Sequence, residues 1–323
     1  MTVVVRTAPP WWMHLAKAVI PRLPAGRYRI MDWLCRRSVA SFWTRLPDHL
    51  GGLEFRCDLR DGNARVVCCT GRYEPVESAI VLSLLEPGMT FVDVGANWGY
   101  FTLLAAGRVG AQGRVLAVEP DPRLFAMLRD NLNRNSLATV TPLEVAVTEV
   151  DGPITLAGYF ADRGNWGVSR MVASSEKSPA CFQAKGCNLD ELLDAHDVAT
   201  VDLLKLDIEG AEDFALRGMQ RGLANGRYRR VLLEAHPTLL SEYGLRVSDV
   251  TSRLTRFGYR GWQIDHSPRA TRTAAYSTTI NPHDYLHPLG HEGVDPDGVA
   301  PAATNGDTWP HFLFLMPDLE LPT

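Results

Sequence analysis

The chain has 323 residues, 46% of them apolar, and a formal net charge of −4. This composition is ordinary for a globular protein that buries a packed core. The charge gives no whole-protein reason to expect nucleic acid as a partner, and no apolar run approaches the roughly 18–20 residues a membrane span needs. Six cysteines (35, 57, 68, 69, 181, 187) form no C-x-x-C pair. With no signal peptide read ahead of them, they are expected to be reduced thiols of a cytoplasmic protein, and Cys68-Cys69 to be strand packing.

The first sixty residues carry ten Lys and Arg against four acids, a local +6, together with Trp11, Trp12, Trp33 and Trp43. A basic stretch with tryptophans fits a membrane surface. Pro9, Pro10, Pro21 and Pro24 break any long amphipathic helix, however. The favoured expectation is therefore a helical cap over residues 1–50, packing its aromatics onto the main domain or onto a second copy. Residues 51–323 form the main domain. Gly52–Leu59 and Ala64–Cys69 read as a β-hairpin about Asp61-Gly62-Asn63, and Glu77–Leu85 as a helix ended by Pro87-Gly88.

Alternation follows. Strand Phe91–Val94 leads to helix Tyr100–Gly107, and strand Arg114–Val118 to helix Pro122–Asn133. A third strand lies near Thr139–Val145. After an insert, Val201–Leu206 feeds helix Ala211–Arg217, and Arg230–Glu234 feeds helices through Phe257. Strands alternating with helices predict a parallel sheet covered on both faces. Residues 266–310, rich in Pro, Gly, Asp, Thr and Ala, show no period and read as a long insertion, either a lid or disordered. His311–Met316 then returns as a last strand, antiparallel beside Tyr259–Ile264.

The first strand runs into Asp93-Val-Gly95-Ala96-Asn97-Trp-Gly99, and Tyr100 and Thr102 open the helix behind it. Such a turn brings backbone N–H groups against a nucleotide-like ligand. The spacing does not fit the G-x-G-x-x-G dinucleotide fingerprint, which weakens the alternative of a nucleotide-linked oxidoreductase. It resembles the D-x-G-x-G-x-G turn of S-adenosylmethionine-dependent methyltransferases, with Asn97 at the middle glycine, a residue that tolerates a left-handed backbone. Glu119, ending the second strand before Pro120, is placed to accept both ribose hydroxyls. Ala146, after the third strand, would lie against adenine.

Four motifs together resemble the FkbM family of these methyltransferases: Gly71-Arg-Tyr-Glu74-Pro, Phe91 to Gly99, Leu204-Lys-Leu-Asp207-Ile-Glu209-Gly-Ala-Glu212, and Leu233-Glu-Ala-His236-Pro. The resemblance covers about Gly71 to Phe257. It implies a Rossmann-like class I fold with a mostly parallel seven-stranded sheet, Glu74 and Asp207 at the cofactor, and O-methylation of a small-molecule hydroxyl on a sugar or polyketide-type metabolite. On the residues themselves, Lys205, Asp207 and Glu209 alternate along one strand end, and Glu234 and His236 along the next. Neighbouring strands would bring Asp207, Glu234 and His236 together. His236 is then the general base, oriented by Asp207 or Glu234, with Lys205 and Glu209 beside it. The alternative makes Asp207, Glu234 and His236 ligands of a divalent metal, which is not favoured. Trp166 in the insert either stacks on the acceptor or packs on the core. A cofactor-binding module without catalysis is the rival of another class.

Overall fold

In the computed structural model, alternating strands and helices build one large sheet with apolar cores on both faces. The structure describes residues 5–6, 8–23, 26–35, 41–158, 169–172, 180–277, 279–290, 296–297 and 309–321. Trp166 lies outside them. No helix among these residues is long and apolar enough to cross a membrane.

The prolines punctuate the N-terminal segment as expected. Helix Trp11–Val19 begins directly after Pro10, and the 3₁₀ turn Ile20–Arg22 that follows it contains Pro21. A second helix spans Arg27–Cys35. Strands β1 (Val5–Arg6), β2 (Ser41–Arg45) and β3 (Glu54–Asp58) form a small sheet in which β2 pairs parallel to β1 and antiparallel to β3. A boundary at residue 50 therefore crosses a sheet.

The expected hairpin is corrected. Residues Gly62–Thr70 are helical, with the Asp61 carboxylate accepting the Ala64 N–H at 2.7 Å and Gly71 closing the helix in a left-handed conformation. Asp61 is an N-cap rather than a turn residue, and the Val and Cys content masked a helical spacing of buried Ala64, Val67 and Cys68. That helix lays Cys68 against β3, where it forms a disulfide with Cys57. The expectation of six reduced thiols therefore fails at this pair, and Cys68-Cys69 packs from a helix.

The main sheet starts with β4 (Thr90–Val94), β5 (Arg114–Val118) and β6 (Val140–Leu143). The insert after β6 contributes β7 (Ala146–Val147), β8 (Gly152–Ala157), β9 (Arg170–Met171) and β10 (Cys181–Cys187), a separate sheet of order β7-β10-β8-β9. The main sheet resumes with β11 (Leu203–Leu206), β12 (Arg230–Glu234), β13 (Arg260–Ile264), β14 (Leu286–Pro288) and β15 (His311–Leu315). Its order is β14-β13-β15-β12-β11-β4-β5-β6, eight strands rather than seven. The run β6 to β12 is parallel, and β15 enters antiparallel between β12 and β13, as expected for the last strand.

The extra strand, β14, comes from the segment expected to be irregular. Three residues carry no readable period, and its pairing with β13 decides it. The same segment holds helix Pro268–Tyr276, capped by Ser267. Successive strand residues alternate between the two cores. Phe91, Val115 and Leu232 pack on one face, and Val92, Leu116 and Val231 on the other, as the two-residue period dictates.

Candidate active site

The turn after β4 is built on three left-handed residues, Gly95 (φ 85°), Asn97 (φ 53°) and Gly99 (φ 91°). Asn97 thus adopts the conformation its position requires. A Cβ on Gly95 would stand 1.7 Å from the Asp207 carbonyl oxygen, so the loop presses against the end of β11 with no space for a side chain.

Glu119 is buried behind the turn. One carboxylate oxygen accepts the Asn97 N–H and the other the Asp121 N–H, both at 2.8 Å. Burial raises its pKa to about 8 against these hydrogen bonds. Asp93 accepts the Thr102 hydroxyl at 2.6 Å through Oδ2, while its buried Oδ1 has no hydrogen-bond partner among the described residues.

A cleft opens over this floor, lined by Gly95, Asn97, Glu119, Pro120, Ala146 and Asp207. Val145 and Val147 extend its apolar wall, and Ile154, Leu156 and Met171 of β8 and β9 cover it. The lining fits the adenosyl part of such a cofactor, with a carboxylate for a ribose diol and apolar walls for adenine, while Asp93 is buried and does not line the cleft. The β8–β9 cover was missed because the insert shows no long period. Ala96, Gly99, Tyr100 and Thr102 shape the cleft without lining it. Tyr100 is buried, its hydroxyl accepting the Tyr73 N–H at 3.2 Å and lying 3.1 Å from Ser78 Oγ. Replacing Glu119 by Ala is expected to weaken S-adenosylhomocysteine binding about 10–100-fold in titration calorimetry. An unchanged Kd would place the diol elsewhere.

Strands β11 and β12 are parallel neighbours with Leu206 opposite Leu233, so Asp207, Glu234 and His236 do meet, with donor atoms within 4.8 Å of one another. His236 is only 1% exposed. Its Nδ1 lies 2.6 Å from Glu212, and its Nε2 3.3 Å from Glu209, 3.6 Å from Glu234 and 3.9 Å from Asp207. Burial alone would lower its pKa, but the carboxylates of Glu212, Glu209 and Glu234 outweigh it and raise it to about 10. The enclosing carboxylates therefore favour the imidazolium form of His236. Its orienting partner is Glu212, which also accepts the Gly210 N–H at 2.9 Å, rather than Asp207 or Glu234. Lys205 is buried, bonds Asp207 at 2.7 Å and stands 4.9 Å from the Phe101 ring centroid. Burial raises Glu209 to about 8.

Glu74 does not line the cofactor cleft. It borders a second cleft of about 1170 Å³ together with Arg72, Tyr73, Glu77, Asp265 and His266. Its Oε2 is buried without a hydrogen-bond partner among the described residues, and burial, reinforced by Glu234, raises its pKa to about 8. Glu74 (φ 41°), Asn97 (φ 53°) and Glu209 (φ 52°) are three of the five described non-glycine residues with positive φ, so backbone strain concentrates here.

Three further residues complete the cluster. Glu77 lies 2.6 Å from His266 and 3.1 Å from His311, and His311 lies 3.5 Å from Glu234. Burial would raise Glu77, but the two histidines hold it well below the usual carboxylate range. Glu234, likewise buried, is lowered to about 2, chiefly by His311. The first residue of an antiparallel strand stands at the carboxyl ends of its parallel neighbours, and His311 is opposite Glu234. That was the available signal.

The shifts set the pH dependence of stability. His236, raised in the fold, contributes fully below its unfolded pKa of about 6.5 and loses that contribution as pH rises through its folded value. Glu74, Glu119 and Glu209, also raised, act in the same direction between roughly pH 4.5 and their folded values near 8. Glu234, depressed, loses its contribution as pH falls from roughly 4.5 through its folded value. Thermal melts are expected to be highest near mildly acidic pH and to fall steadily towards about pH 10. A Tm independent of pH over that range would contradict this charge arrangement.

Comparison with known proteins identifies the family. Residues 93–260, just over half of the chain, match the model of the methyltransferase FkbM domain. The hexuronic acid methyltransferase AglP of Haloferax volcanii is 28% identical over 177 residues, covering 54% of this chain and 65% of that protein. The 2-O-methyltransferase NoeI of Sinorhizobium fredii is 24% identical over 160 residues, covering 46% and 65%. The matched region thus spans just under two thirds of each of these relatives. A solved FkbM methyltransferase from Methylobacillus flagellatus aligns over 89% of this chain and 58% of its own, at 17% identity and a TM-score of 0.42. The chain belongs to the FkbM family of S-adenosylmethionine-dependent methyltransferases.

Proposed function

We propose that this protein methylates a hydroxyl group of a sugar or sugar-containing metabolite, and that Glu74 accepts the hydroxyl proton. The observation that carries this reading is the link between the two clefts. Glu234 lies within 4.8 Å of both the Asp207–His236 pair and the Glu74–His311 pair, and Asp207 lines one cleft while Glu74 lines the other. Bound S-adenosylmethionine supplies a methyl group on a sulfonium, open to in-line attack by oxygen. The chain's contribution is to seat the acceptor in the second cleft, exclude water and receive the proton at Glu74 Oε2.

His236 was the base expected from its residue type. Its enclosure by four carboxylates supports a different role, as the buried cation that holds Glu209, Glu212 and Glu234 in place, with Lys205 doing the same for Asp207. The names of AglP and NoeI support the sugar class and oxygen as the acceptor atom. Arg72, Glu77, Asp265 and His266 place polar groups on the otherwise largely apolar wall of the second cleft, which suits a hydroxylated ring. The test is transfer of labelled methyl to a panel of hexoses, hexuronic acids and their glycosides. No transfer to any member by protein that binds S-adenosylhomocysteine rejects the acceptor class.

The metal reading survives as a second possibility because the donor atoms of Asp207, Glu234 and His236 converge. Turnover abolished by a chelator and restored by Mg²⁺ would favour it. Turnover indifferent to the chelator leaves Glu74.

A further inference from the structure

Nine large apolar side chains are exposed among the described residues, and six of them sit on two consecutive N-terminal helices. Trp11 (81% exposed), Leu15 and Val19 follow one another at intervals of four along the first, making a single stripe. Ile30, Trp33 (76% exposed) and Leu34, at positions i, i+3 and i+4, share one side of the second. These side chains are not what docks the helices. Met13, Ala16, Ile20, Met31 and Cys35 on the other faces do so, packing with Phe42, Cys57 and Cys68. Helices do form in the segment expected to be a cap, with Trp11 and Trp33 facing away from the domain.

The charge around the stripe has one sign. Residues 1–40 hold seven Lys and Arg and a single acid, Asp32, giving +6, so the remainder of the chain carries −10 of the total of −4. Asp32 is itself paired with Arg65 at 3.3 Å, while Arg22 in the 3₁₀ turn between the helices and Arg29 on the second are exposed. Apolar stripes tipped with tryptophan and flanked by cations match the boundary between acyl chains and anionic headgroups. The same charge opposes self-association through this face, and the aliphatic Leu15, Val19, Ile30 and Leu34 offer nothing to a phosphodiester backbone.

We propose that the two N-terminal helices seat the protein on an anionic membrane surface, lying in its plane with Trp11 and Trp33 inserted. This inference does not depend on the acceptor or on the proton-accepting residue. The experiment is flotation of the full chain with phosphatidylcholine vesicles containing or lacking phosphatidylglycerol, with tryptophan emission as a second readout. Binding is expected only to the anionic vesicles, with a blue shift, and to weaken as salt is raised.

The double variant Trp11→Ser, Trp33→Ser is expected to bind at least tenfold more weakly, with an unchanged melting temperature and unchanged S-adenosylhomocysteine affinity. The variant Arg22→Glu, Arg29→Glu is expected to lose the preference for anionic lipid. Wild-type protein that ignores both vesicles overturns the proposal, as does a double variant that floats like wild type. A wild-type dimer in solution that the tryptophan substitutions dissociate would show the face to be an interface between copies, and would equally overturn it.

Discussion

Glu74→Gln is expected to lower kcat by about 10²–10⁴-fold, the usual contribution of a positioned base, while S-adenosylhomocysteine affinity stays within about twofold. Glu74 lies outside the cofactor cleft, which is why the two readouts separate. In wild-type protein the carboxyl is raised to about 8 by burial and by Glu234, so the reactive carboxylate forms as pH rises. Activity should therefore climb through that pH on a single limb, and the limb should be absent from the residual activity of the Gln variant. His236→Gln serves as the contrast. Removing the buried cation leaves Glu209, Glu212 and Glu234 facing one another, so its main effect should be a lower Tm. Should His236→Gln keep its melting temperature yet remove the pH limb, while Glu74→Gln keeps full turnover, the proton goes to the imidazole after all.

Gly95→Ala is expected to cost about 3–5 kcal/mol of stability and to abolish heat on titration with S-adenosylhomocysteine. Two effects add at this position. The backbone is left-handed at φ 85°, and the new methyl would meet the Asp207 carbonyl oxygen at 1.7 Å. That oxygen belongs to the main chain at the end of β11 and cannot rotate aside, so either the turn or the strand end must move. Gly88→Ala isolates the first effect, since Gly88 has φ 89° with nothing within 4 Å of the added atom. Its cost should be only about 1–2 kcal/mol, with cofactor binding intact. Equal losses in the two variants would mean that the contact with Asp207 contributes nothing.

Most of the parallel sheet was legible because its strands are short apolar runs, most of them followed by a helix. The span Arg230–Glu234 coincides with its expectation, and Tyr100 and Pro122 open their helices as read. Misreadings fell where local composition and tertiary context disagree. Gly62–Thr70 holds β-favouring Val and Cys, yet Asp61 caps it and its buried positions follow a helical period. The strand Leu286–Pro288 exists only because β13 offers it an edge. The disulfide between Cys57 and Cys68 needed the helix to be placed first.

By itself the sequence determined the left-handed turn after β4, the strand-end position of Glu119 behind it, and the family, because these are contiguous residues whose backbone conformations and strand-end positions follow from local spacing. Only the tertiary structure decided how the charges are shared. Glu77, His266 and His311 come from three distant segments, and no spacing connects them. A group's protonation depends on what surrounds it once water is removed. Burial among carboxylates raises His236 above the usual imidazole range and leaves Glu74, with an unsatisfied oxygen, beside the second cleft.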